Sequence, residues 1–177
     1  MLYLAVVVIY FTYVADVLER GTLSRAVIPI LYAAVGLFGM VGVLTGVLVE
    51  RVGSVRVAAL CLTTVGVALA LLGLASGSLV ATAASPCIFG AGYMTGSAVL
   101  AVWTAQLMPH RAGAAFTACL ILGALSSVAA PALAGVLIPS VGLGVLLVLS
   151  AALSLIGGVA FMLRGSSRGA AVARDSS

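Results

Sequence analysis

The chain has 177 residues, 64% of them hydrophobic and only 7% charged, and its net charge of +4 comes from eight arginines, no lysine and four acids. A soluble domain carries roughly a quarter of its residues as charges, so this chain has too little charge to coat a water-facing surface and must meet lipid over most of its area. The arginines stand singly between apolar segments, which gives no nucleic-acid-binding patch and makes the positive balance a matter of topology.

About 20 apolar residues cross a bilayer, and six apolar runs follow one another at 1–17, 27–49, 55–75, 79–107, 112–138 and 142–163. Lipid offers backbone amides no partners, so spanning segments are helices or strands of a closed barrel. These runs are longer and more uniformly apolar than barrel strands, which alternate over about ten residues. The expectation is an all-α polytopic membrane protein with six transmembrane helices. Short turns are placed at Gly53, Ser76-Gly77-Ser78, Pro109-His110-Arg111 and Pro139-Ser140, and a small, polar, disordered tail at 164–177.

The first run reaches only ~25 Å at 1.5 Å per residue, short of a ~30 Å hydrocarbon core. It has neither the positive flank nor the cleavage site of a signal peptide. The expectation is that the chain starts inside a helix that would otherwise be longer. Within it Tyr3, Tyr10 and Tyr13 share one helical face, and Asp16 follows near the outer end. An acid within the membrane usually marks a function; Asp16 is therefore a candidate for ion coupling, the alternative being a solvated helix-end carboxylate paired with Arg20.

The second run carries Gly36, Gly39, Gly42 and Gly46, spaced by three and four residues. Gly92 and Gly96 recur in the fourth run, and Gly123, Ser127, Pro131 and Gly135 in the fifth. Small-residue stripes let helix backbones approach closely in lipid, and Pro131 with Gly135 adds a candidate bending point. Tyr93, Ser97 and Trp103 of the fourth run are candidates for lining a solute pathway together with Tyr10 and Tyr13, since a cavity mixes apolar walls with a few polar groups. Trp103 has an equal second reading as an interfacial anchor.

The second run ends in the one compact charged cluster between apolar runs, Gly46-Val47-Leu48-Val49-Glu50-Arg51-Val52-Gly53-Ser54-Val55-Arg56. Counted on alternate sides of six spans, Arg51, Arg56, Arg111, Arg164, Arg168 and Arg174 face Arg20 and Arg25. Six against two places both termini, and this cluster, in the cytoplasm by the positive-inside rule.

The Gly-x-x-x-acid-base-x-Gly-x-x-base string at a turn after the second helix resembles the inter-helix signature of the major facilitator superfamily of transporters, and Pro131-Ala132-Leu133-Ala134-Gly135 looks like its Gly/Pro-rich fifth-helix segment. The resemblance covers residues 1–163 and looks most like a C-terminal six-helix half. It implies secondary transport of a small solute across the cell membrane, with Gly46, Glu50, Arg51, Gly53 and Arg56 as a gating signature and no cofactor. A family pathway lies between two six-helix halves, so the implied partner is a second half or a second copy of the chain. The superfamily normally has twelve spans, commonly has aspartate where Glu50 stands, and often has more basic residues at Ser54-Val55. A truncated, non-transporting remnant or a membrane interaction protein is the alternative.

Catalytic chemistry finds little support. His110 is the one histidine and falls in a turn. Cys61, Cys87 and Cys119 are odd in number and far apart within apolar runs, which fits neither a disulfide framework nor a zinc site. No phosphate-cradling loop is present.

Overall fold

Apolar sequence with sparse polar interruption folds into helix wherever the backbone must satisfy itself. The computed structural model describes residues 2–20, 27–75 and 78–175, without the side chains of Leu18, Arg20 and 164–175. Among the described residues every regular element is helical: α1 (Leu2–Arg20), α2 (Ile28–Gly39), α3 (Thr45–Val52), α4 (Ser54–Leu74), α5 (Leu79–Leu107), α6 (Ala112–Val141) and α7 (Leu143–Asp175). A 3-10 turn over Met40–Leu44 joins α2 to α3, and another over Pro109–Arg111 precedes α6. Five stretches are long and apolar enough to cross a membrane: Ile28–Val52, Ser54–Leu74, Leu79–Leu107, Pro109–Val141 and Leu143–Leu163. Leu2–Val17 adds a shorter apolar helix.

Two boundaries differ from the sequence reading. Pro139-Ser140 is not a turn: α6 runs through both to Val141. A proline inside a helix forfeits one backbone bond, whereas ending the helix before Pro139 would forfeit more of them, and Gly142 supplies the turn two residues after Ser140. The segment from 164, expected as a disordered tail, is helical to Asp175. Extending a formed helix needs no new nucleus, and Ala170, Ala171 and Ala173 favour it. Arg25 and the Ser76-Gly77 part of the second expected turn lie outside the described residues, as do the side chains of Arg20, Arg164, Arg168 and Arg174.

The core sits between α1, α4, α5 and α7, where Tyr10, Val65, Leu69, Leu72, Phe89 and Leu147 are almost wholly buried. Between helices apolar enough to lie in lipid, apolar burial gives little drive, so close backbone approach and buried hydrogen bonds carry the packing. The most extensive pair is α4 with α7. Gly66 faces Leu155 and Ala151, Gly73 faces Gly144, and Gly158 faces Ala59, so the two helices run antiparallel. Ser154 Oγ donates to the Leu62 carbonyl at 2.8 Å across this seam. In contrast, α6 buries only Ala134 among its described residues.

Two octapeptides then match. Gly46-Val47-Leu48-Val49-Glu50-Arg51-Val52-Gly53 and Gly135-Val136-Leu137-Ile138-Pro139-Ser140-Val141-Gly142 agree at five of eight positions, and Val49 is exchanged for Ile138 at a sixth. Each ends on a glycine that is the whole connection to the next helix, with φ 89° and ψ 148° at Gly53 and φ 84° and ψ 153° at Gly142. Only glycine adopts such angles without strain. The backbone bonds also correspond: Gly53 N donates to Val49 O at 2.9 Å and Gly142 N to Ile138 O at 2.8 Å. Val57 N then reaches Gly53 O, and Leu146 N reaches Gly142 O, both at 3.1 Å. Because α4 and α7 are antiparallel, the two turns lie at opposite ends of the bundle.

Candidate functional site: an aromatic seam and a cavity at one end

Tyrosine placed in an apolar helix must find a partner for its hydroxyl, and that need positions the first helix. Tyr10 is 1% exposed and stacks on Phe89 of α5 with ring centroids 3.6 Å apart. Its hydroxyl lies 3.0 Å from Ser85 Oγ, and Ser85 donates to the Ala68 carbonyl of α4 at 2.8 Å. Ser85 has a single proton, already given to Ala68, so Tyr10 is the donor to Ser85. One relay thus ties α1, α5 and α4. Tyr13 donates to the Pro131 carbonyl of α6 at 3.1 Å, and Tyr3 to the Tyr93 carbonyl of α5 at 2.6 Å.

The same face continues as an aromatic seam. Phe89 stacks towards Tyr93 at 5.7 Å, Phe11 meets Phe89 and Tyr93 edge-on at 5.1 and 5.3 Å, and Tyr32 lies beyond Phe11. Edge-to-face and offset contacts of this kind add about 0.5–1.5 kcal/mol each beyond burial. Among the expected pathway residues, Tyr10, Tyr13 and Tyr93 therefore take packing positions along α1 and α5. Ser97 returns its hydroxyl to the Tyr93 carbonyl at 2.9 Å. Trp103 stands apart from them. It meets Phe161 of α7 edge-on at 5.7 Å and lines a cavity of about 150 Å³ between α1, α4, α5 and α7.

The glycine stripes are only partly packed. A side chain at Gly39 or Gly42 would strike Met94, one at Gly92 would meet Thr64 and Val65, and one at Gly96 would strike Tyr3. Gly36 and Gly46 face open space, and Gly135 touches only the Tyr13 hydroxyl, at 4.0 Å. Pro131 lies within the continuous α6 and takes part through its carbonyl.

Glu50 and Arg51 occupy the last turn of α3, and Arg56 the first turn of α4. All three are exposed, and no ion pair joins them among the described residues. Asp16 is exposed towards the far end of α1.

Ser85 and Phe89 were missed by sequence reasoning, and Cys61 was weighed there only as a disulfide or zinc ligand. Ser85 inside an apolar helix was the available signal, because a hydroxyl there must find an acceptor, and it finds the Ala68 carbonyl of α4.

Comparison with family models, with curated proteins and with solved structures finds no match.

Proposed function

We propose that the chain is a secondary-transporter half of the major facilitator type, which moves a small solute across the cell membrane together with a second six-helix half or a second copy of itself. In this reading six helices span the membrane, both termini are cytoplasmic, and Glu50, Arg51 and Arg56 form a gate at the α3–α4 turn. A carboxylate beside the start of a helix meets unpaired amides and a positive dipole end, worth ~0.3–1 kcal/mol. That interaction favours whichever transport state brings Glu50 to such an end.

One observation carries the proposal. Gly142 makes the same one-residue turn as Gly53 with Pro139 and Ser140 standing where Glu50 and Arg51 stand. The turn therefore has no need of the charges, and their presence at one turn alone supports a topological and gating use. The exposed apolar side chains of α2, α3 and α6, such as Phe38, Val47, Leu125 and Val136, suit contact with lipid or with a second half.

The test is reconstitution in liposomes with a panel of labelled small solutes. The monomer is expected to be inert, and uptake to appear with a self-associated form or an added N-terminal six-helix half. Uptake by a purified monomer would refute the half-transporter reading, and a stable, inert dimer would favour a membrane interaction protein.

A further inference from the structure

The cavity beside Trp103 lies between the helices of the core, is partly open at the bundle surface, and is separate from the tyrosine seam that holds the other expected pathway residues. Its volume is about 150 Å³, and Tyr3, Cys61, Gly96, Leu100, Trp103 and Phe161 are among its walls. Those walls come from α1, α4, α5 and α7, the four helices of the core, so the space is framed by the best-packed part of the chain.

Water is a poor occupant. A buried water needs two to four polar partners, and the one hydroxyl in this wall, on Tyr3, donates to the Tyr93 carbonyl and offers a water only an acceptor. The Cys61 thiol is a weak donor and the remaining lining is apolar. An apolar space of about this size accepts a single benzene-sized ring. Trp103 and Phe161, set at 75° to each other, offer one ring face and one ring edge to a third ring.

A second space of about 160 Å³ lies on the other side of Cys61. Its rim includes Val41 and Leu60, both more than 40% exposed, and it has no aromatic wall. It therefore lacks the feature that selects a ring.

We propose that the Trp103 cavity is a binding site for a compact, uncharged, single-ring aromatic molecule. The ring lies against Trp103 and Phe161, and the Cys61 thiol sits at its edge. Binding fills space that would otherwise lose dispersion contacts along all four helices, so an occupied site also tightens the end of the bundle at which α4 begins.

Trp103 is the chain's single tryptophan, so its fluorescence comes from a wall of this cavity. The full chain in lipid nanodiscs is titrated with bromobenzene, a heavy-atom quencher of ring size. Saturable quenching is expected in the natural protein. Ala58→Leu, which fills the cavity from α4, should raise the concentration for half-quenching about tenfold, a loss of about 1.4 kcal/mol. Leu100→Ala enlarges the cavity and should admit 1-bromonaphthalene, which the natural protein excludes; this variant keeps the test open should Ala58→Leu fail to fold. Quenching that rises linearly and equally in all three proteins would mean simple partition into lipid and overturn the proposal. Brominated acyl chains that quench Trp103 as strongly as bromobenzene, and lose that effect in Ala58→Leu, would put a lipid tail in the cavity and overturn it equally.

Discussion

The two ends of the bundle make the same turn from different residues. At one end Val49-Glu50-Arg51-Val52 leads into Gly53, and at the other Ile138-Pro139-Ser140-Val141 leads into Gly142. The backbone angles agree to within about ten degrees and the hydrogen bonds correspond one for one. Geometry is therefore set by the terminal glycine and by helical backbone bonding on either side of it. The two middle positions are free of that duty. At one end they hold a charge pair, and at the other a proline and a serine. The helices around the turns repeat the pattern: α4 follows Gly53, α7 follows Gly142, and these two form the principal antiparallel seam.

The sharpest way to break this comparison is topological. If the Gly53 turn marks the cytoplasmic end and the Gly142 turn the opposite end, reporter fusions at Ser177 and Ser78 should read cytoplasm and exterior respectively. The reversed pattern would remove the gating role of Glu50 along with the orientation.

The next largest effect is expected at the glycines. Gly53→Ala and Gly142→Ala each force an L-residue into a conformation that costs about 1–3 kcal/mol, so unfolding in mixed micelles should show similar losses. A loss at only one site would show that the turns are not energetically equivalent.

Smaller effects test the seams on which the turns depend. Ser85→Ala removes the proton given to Ala68 and leaves Tyr10 without its acceptor, for an expected loss of about 1–2 kcal/mol. Ser154→Ala removes one interhelical bond, for about 0.6 kcal/mol. Equal losses at the two serines would argue that Tyr10 finds another partner.

The smallest change in stability belongs to Glu50→Gln, within about 0.5 kcal/mol as for other exposed substitutions. Its effect should appear in the rate of transport by an assembled transporter more than in substrate affinity. Unchanged kinetics at normal expression would return Glu50 to a solvated turn charge.

Helical class and the positions of most long apolar helices were legible in the sequence because long apolar runs admit few other solutions. The direction in which each helix faces was not. In a soluble helix, polar residues mark the outward face, but α6 is apolar all round, so nothing in its composition distinguishes Ala134, which is buried, from Leu133, which is exposed. Spacing also proved ambiguous for the small residues: Gly39 and Gly42 meet α5 while Gly36 and Gly46, on the same stripe, meet open space. The tyrosine stripe of α1 was readable as a face, yet its polar tips could serve a solute or a neighbouring helix. Ser85 and the carbonyls of Tyr93 and Pro131 take up those hydroxyls, and spacing within α1 has no access to residues so distant in the chain.

The seam between α4 and α7 also bears on biogenesis. Leu74 and Leu143 are separated by about 70 positions, and chains grow at roughly 5–20 residues per second. The grooved face of α4, with Gly66 and Gly73 open, therefore waits on the order of 3–14 s after its own synthesis before α7 emerges to cover it. In the membrane reading, lipid tails or the insertion machinery cover the groove during that interval, and substitutions there act on a nascent chain as well as on the finished bundle. A bulky residue at Gly66 would both displace Leu155 and alter what the unfinished helix holds while it waits.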